Sequence, residues 1–346
     1  MSSEWLSKIL TTDTSWQVLA QSAALANSLR AKVFNITSDN VAEVMQRRGD
    51  LLKLVFPDFS QFCQTSLETE AQEMLQVLWD LWLPLGIQIA AQRQQLGKPF
   101  IQGILGSQGT GKTTMSRILV LILQHLGYRT LSLSLDDFYK TYSDRLTLMQ
   151  QDSRLVWRGP PGTHDIHLAL SLLDQIHQSK SPVIVPRFDK SAHGGAGDRT
   201  TSEFITNNVD IVLFEGWFVG VKPINPTAFL TAPSPILTDA DRKFASDMNH
   251  QLQSYLPLWE KLDSLIVLYP TDYRYSLTWR KQAEKQMIAA GKSGMTDLEI
   301  EDFVNYFWRA LHPELFINPL VKSSAVDLVI EIHADHSLGE IRSPIS

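Results

Sequence analysis

Residues 100–114 read FIQGILGSQGTGKTT. A short apolar run ends at Leu105, and Gly106 to Thr113 then match the spacing G-x-x-x-x-G-K-[ST] of a phosphate-binding loop, after a predicted strand and before a predicted helix. Each residue type answers a need of triphosphate binding. Glycines let successive backbone N–H groups curl around phosphate oxygens, and the helix N-terminus adds a favourable field. Lys112 reaches the β- and γ-phosphates, and the Thr113 hydroxyl is available to Mg²⁺. Gly106, Ser107, Gln108, Gly109, Thr110, Gly111, Lys112, Thr113 and Thr114 form the predicted nucleotide-binding set.

Outward from this loop, apolar runs recur at 130–135 (TLSLSL), 182–185 (PVIV), 210–214 (DIVLF), 264–269 (SLIVLY) and 327–332 (DLVIEI), separated by longer helical stretches. That alternation predicts an α/β fold of the P-loop NTPase type over residues 99–346, a parallel sheet with helices on both faces. The proline-rich stretch from Pro223 to Pro235 is a connecting loop. Residues 1–98 differ: Trp16, Leu19, Ala23, Leu29 and Val33 recur at roughly helical spacing, Ser38 or Asp39 is placed to cap a further helix, and a third helix is expected over about 68–95, bent near Pro84. This helical N-terminal segment is expected to support the core by packing, with a regulatory or dimerising role as the alternative.

The loop does not separate kinases from switches, motors and transporters, which share the same phosphate grip. The chain contains no guanine-reading Asn-Lys-x-Asp and no transporter Leu-Ser-Gly-Gly-Gln, and the choice narrows to a kinase or a small ATPase. The second apolar run leads straight into Asp136 and Asp137, at the strand end where α/β proteins bind ligands. Asp136 is the expected catalytic acid, taking or orienting the proton of an attacking hydroxyl, while Asp137 is better suited to capping the next turn. The run 210–214 delivers Glu215, followed by Gly216, as a Walker-B-type acid for Mg²⁺. Thr113, Glu215 and Asp136 are the predicted metal ligands.

Two loops suit an acidic acceptor. RGPPGTHD (158–165) carries Arg158, His164 and Asp165 on a proline-stiffened loop, and PRFDKSAHGGAGDR (186–199) places cations, among them Lys190 and Arg199, between glycines. Further on, about 272–297, a basic helical stretch is expected to form a lid, with Arg280 as its main catalytic cation and Arg274 second to it.

Composition narrows the partners. The 346 residues carry a formal net charge of −6, which offers no general attraction for nucleic acid or anionic lipid. Cys63 is the only cysteine, so no intrachain disulfide forms. The most apolar stretch, from Leu75 to Ala91, is interrupted by Asp80, Pro84 and Gln88, and no secretory or transit pattern is recognised at the N-terminus. The expectation is a cytoplasmic enzyme with a small-molecule substrate and no membrane or nucleic-acid partner.

Together, GSQGTGKTT, LSLDDFY, RGPPGTHD, PRFDKSAHGGAGDR, FEGWFVGVKP and WRKQAEKQMIAAGKSGMTD resemble the plant-type D-glycerate 3-kinase family, within the phosphoribulokinase, uridine kinase and pantothenate kinase group. The resemblance covers about residues 85–332, and the tract from Glu215 to Pro223 discriminates more than the phosphate loop does. It implies transfer of the γ-phosphoryl group of Mg-ATP to the 3-hydroxyl of D-glycerate, giving 3-phosphoglycerate, the closing step of photorespiratory carbon recovery. It also implies that Asp136 is the family's acid, Glu215 its Walker-B acid, and Arg158, His164, Asp165, Lys190 and Arg199 the acceptor pocket. The alternatives are a kinase of the same fold acting on pantothenate or a nucleoside, and a non-catalytic ATP-binding regulator.

Overall fold

The computed structural model describes residues 4–11, 13–289, 291 and 294–344. Its strands are β1 (Phe100–Gly106), β2 (Thr130–Ser134), β3 (Val183–Asp189), β4 (Asp198–Ile205), β5 (Ile211–Gly216), β6 (Ser264–Pro270), β7 (Leu328–Ile332) and β8 (Leu338–Arg342). Six of them make one sheet in the order β2-β5-β1-β6-β7-β8, parallel throughout except for the antiparallel edge strand β8. The three central strands are apolar and buried along nearly their whole length, because helices cover both faces. This order sets the C-terminal ends of β2, β5 and β1 side by side, so that Asp136, Glu215 and the phosphate loop emerge at one edge of the sheet.

One predicted strand lies elsewhere. Residues 182–185 were expected in the parallel sheet, but β3 pairs antiparallel with β4 in a separate hairpin. The register shifts between Val185 and Arg187, at Pro186, which has no N–H to give to a central ladder. Ile184 and Phe204 face each other on the outer side of the hairpin and are exposed.

The N-terminal segment is helical as expected. Its second long helix runs Val41–Phe62 with Asn40, not Ser38 or Asp39, at the cap position. The third runs from Ala71 to Leu96 and widens into a π-turn at Leu78–Trp82, where the Leu83 N–H reaches back to the Leu78 carbonyl. Pro84 follows directly. Its missing N–H and its ring are incompatible with a regular turn closing on Asp80, and the wider turn accommodates both. By length and composition this helix could cross a membrane, yet 61% of its most apolar window is buried inside the domain.

That burial joins the N-terminal segment to the kinase core. Leu78, Leu81, Trp82 and Ile89 belong to one apolar cluster with Ile118, Leu119 and Ile122 of the phosphate-loop helix (Lys112–His125) and with Ile104, Ile211 and Ile330 of the sheet. Further out, Trp79 meets Trp5 and Trp16 edge-on at 5.5 and 6.2 Å, with the Arg48 guanidinium over its ring. Trp79→Ala is expected to remove about 3–5 kcal/mol of stability. Urea unfolding should show a single transition that takes activity with it; an early transition that leaves activity intact would mean that the segment folds independently.

Candidate active site

At the end of β1 the chain turns through Ser107–Gly111 into the helix Lys112–His125. Gly109 and Gly111 have φ of +82° and +84°, a region that side-chain-bearing residues rarely enter. The turn leaves the amides of Lys112, Thr113 and Thr114, the first of the helix, without intrahelical partners and facing the loop interior. The Lys112 ammonium donates to the Ser107 carbonyl at 2.9 Å, and the Ser107 hydroxyl is buried without a partner. Burial lowers the Lys112 pKa, while Glu215 and Asp136 oppose that shift. The loop is therefore a ring of donors with one cation, which is what a polyphosphate requires.

Thr113 donates its hydroxyl to Glu215 Oε1 at 3.3 Å, which brings together two of the predicted metal ligands. Glu215 is buried at the end of β5. A carboxylate beside a hydroxyl, with no denser cluster of His, Cys, Asp or Glu among the described residues, suits Mg²⁺, which takes one or two protein oxygens and completes its shell with water and phosphate.

Asp136 and Asp137 sit in one 3₁₀ turn and do different work. Asp137 accepts from the Ser134 amide at 2.9 Å in a capping box and pairs with Arg187 at 2.9 Å, so it holds the turn. Asp136 is left to face the site. Lys190 reaches it at 2.7 Å, and the Tyr139 hydroxyl donates to it. Burial pushes its carboxyl upward, but Lys190 and, less strongly, His164 and Tyr139 outweigh that and hold it below the ordinary carboxylate range. It is a carboxylate at neutral pH. With Glu215 it shares the field at Lys112.

The acceptor loops close over this carboxylate. His164 is 2% exposed, stacks on Tyr139 at 4.6 Å and has the Tyr255 hydroxyl 2.8 Å from its Nδ1. Burial lowers its pKa to about 3, so it is neutral. Arg158 donates to the Gly195 carbonyl at 2.6 Å and lies over the Phe188 ring, bridging to the tip of the β3–β4 hairpin. Asp165 and Arg199 are largely committed to each other: Asp165 caps the helix Ile166–His177 and pairs with Arg199 at 2.9 Å, while Arg199 also donates to the Tyr139 carbonyl at 3.0 Å. They brace Tyr139 from behind. Lys190 is the most exposed cation of the group, with 63% of its side chain open to solvent.

No family model matches the chain. An uncharacterized kinase of Schizosaccharomyces pombe, mug58, is 33% identical over 219 residues, covering 61% of this chain and 79% of that protein. The chloroplastic D-glycerate 3-kinase of Arabidopsis thaliana is 32% identical over 260 residues, 71% of this chain; the match spans about half, 54%, of the plant protein. Among solved structures, the D-glycerate 3-kinase from Cryptococcus neoformans superposes with a TM-score of 0.67 at 28% identity, covering 75% of this chain and 96% of the fungal one. The chain belongs to the plant-type D-glycerate 3-kinase family. It is a P-loop kinase, a phosphotransferase with a small-molecule substrate.

In this family member the lid expected over about 272–297 contains the helix Tyr275–Ala289; its residues 290, 292 and 293 lie outside the described residues. Trp279, not Arg280, is the side chain that meets the phosphate loop. A Cβ added to Gly109 would stand 2.7 Å from the Trp279 Cβ. Arg280 turns to the other side, pairing with Glu284 at 2.8 Å and lying over Phe303, and among the described residues no contact joins it to Lys112, Asp136 or Glu215. Arg274 is likewise tied to Asp272. Gly109→Ala combines the strained φ with this overlap, a cost of about 1–3 kcal/mol that falls on the loop. The expected result is a KM for ATP raised about tenfold or more with an unchanged KM for the acceptor, read by steady-state kinetics; equal effects on both would show that the two sites deform together.

A cavity of about 310 Å³ adjoins the loop, lined by Ser107, Trp217, Tyr273, Phe307 and Asn318 among others; Asp136, His164 and Lys190 do not line it. Trp217, in the discriminating tract, donates from its indole to the Gly159 carbonyl and so ties the end of β5 to the RGPPGTHD loop. Sequence reading missed Trp279 and Tyr255 as site residues. Both are aromatic residues in helical surroundings, and nothing local distinguishes them from core.

Proposed function

We propose that the protein phosphorylates D-glycerate on its 3-hydroxyl, using Mg-ATP and releasing ADP and 3-phosphoglycerate. The observation that carries this reading is the 2.7 Å pair between Lys190 and Asp136: a mobile-stemmed ammonium, suited to a substrate carboxylate, rests on the carboxylate that would activate the hydroxyl. A three-carbon hydroxy acid presents both groups within a few ångströms of each other. The family's named glycerate kinases favour the same substrate.

In the mechanism the phosphate loop and Lys112 hold the triphosphate, with the first helical amides donating to its oxygens. Thr113 and Glu215 would hold Mg²⁺, which shields phosphate charge as the phosphoryl group moves. Lys190 leaves Asp136 for the acceptor carboxylate, with Arg158 of the RGPPGTHD loop held against the hairpin tip at Gly195. Asp136 then takes the proton of the primary hydroxyl as its oxygen attacks the γ-phosphorus in line and the bond to the β–γ bridging oxygen breaks. Asp165 and Arg199 keep the floor of the pocket rigid through Tyr139. Of the lid cations, Arg280 remains our choice for transition-state charge, which requires the helix Tyr275–Ala289 to rotate it away from Glu284. We read the site of action as the cytoplasm.

Product identification tests the regiochemistry. Phosphorus NMR of the product, beside authentic 2- and 3-phosphoglycerate, should show the 3-isomer alone.

A further inference from the structure

The Tyr255 hydroxyl is fully buried between two hydrogen-bonding neighbours. The Gly162 amide donates to its oxygen at 2.9 Å, and His164 Nδ1 lies 2.8 Å away. An amide N–H can only donate, so among the described residues the phenol's own proton has Nδ1 as its acceptor and would otherwise be buried unpaired. Nδ1 is thus an acceptor, and the ring proton of the neutral imidazole sits on Nε2. That Nε2 is buried and has no hydrogen-bond partner. A buried N–H without a partner is costly, and in a native site such a donor marks a missing ligand atom.

The orphan donor lies in the acceptor region. Its ring stacks on Tyr139, whose hydroxyl donates to Asp136, and His164 is within electrostatic reach of Asp136, Lys140 and Arg145. We propose that Tyr255 is a positioning residue for the acceptor: it fixes His164 as the Nε2–H tautomer, so that a neutral imidazole donates to an acceptor oxygen beside Asp136. A donor without charge complements the Lys190 ammonium, which takes the carboxylate. It discriminates for an oxygen that can accept at that point, and rejects an analogue with hydrogen or methyl there. Tyr255 comes 91 residues after His164 and meets it through the inner nitrogen and an edge-on ring contact, so the role is indirect. The inference rests on the acceptor site proposed above.

Two measurements on the full-length protein test it. Nitrogen-15 NMR of histidine-labelled enzyme at neutral pH, with the His164 signals assigned by their loss in His164→Asn, should show a bare Nδ1 and a protonated Nε2. The reverse tautomer, or an imidazolium, would overturn the proposal. Tyr255→Phe keeps the ring and removes only the hydroxyl; it should raise the KM for the acceptor about tenfold or more while leaving the KM for ATP unchanged, and should relax the nitrogen-15 signature. A Tyr255→Phe enzyme that loses thermal stability with both KM values unmoved would make the tyrosine merely structural and the proposal wrong. If the wild-type enzyme turns over no glycerate, that result strikes the assigned substrate, and the tautomer measurement still decides this proposal alone.

Discussion

Lys112→Ala is expected to lower kcat by about 10²–10³-fold, the cost typical of removing one donor aimed at developing charge. In the resting loop its ammonium sits on the Ser107 carbonyl, between the fields of Glu215 and Asp136. Those carboxylates would otherwise repel a triphosphate, and Lys112 is the loop's cation that both of them act on. The variant should also bind ATP more weakly, while its melting temperature stays near that of the wild type, because Lys112 makes no contact that the core depends on. Steady-state kinetics beside a thermal melt reads both. Near-wild-type turnover would mean that the triphosphate lies elsewhere than in this loop.

Asp136→Asn is expected to lower kcat by about 10²–10⁴-fold, the range for a lost general base, with little change in the KM for ATP. Asparagine keeps the volume and an oxygen for the Tyr139 hydroxyl, but it can neither take a proton nor hold Lys190 as an ion pair. The neighbouring Asp137→Asn provides the contrast. It weakens the capping box at Ser134 and the pair with Arg187, so it should cost about 1–2 kcal/mol of stability and little kcat. The two variants therefore separate chemistry from support one residue apart. Equal kinetic losses in both would show that the turn itself is the sensitive element, and that Asp136 is not the base.

What could be read from sequence was local. The loop from Gly106 to Thr114 is legible because its chemistry lies in nine consecutive residues, and Asp136 and Glu215 because each follows a run with strand character, alternating in β2 and wholly buried in β5. The β3–β4 hairpin was not legible as such: β4 reads DRTTSEFI, six of its eight residues polar and following a glycine-rich tip, which looks like loop until its partner is known. Arg199 shows a different limit. Its charge suggested an anion site, but Asp165, 34 residues away in sequence, occupies it. Arg280 stands out in sequence only as charge on a helix face, and only the fold reveals that Glu284 holds it and that Trp279 meets the loop instead. Side-chain chemistry was visible residue by residue, while the question of which charges are already satisfied depends on contacts made across the chain.

Acceptor-dependent ADP release at fixed Mg-ATP, compared for D-glycerate, L-glycerate, pantothenate and uridine, tests the central claim most directly. The account predicts release with D-glycerate that far exceeds the other three and is lost in both Lys112→Ala and Asp136→Ala. Turnover led by pantothenate or uridine would keep the kinase and its phosphate chemistry but contradict the assigned acceptor, and ATP binding with no turnover on any of the four would contradict the catalytic reading itself.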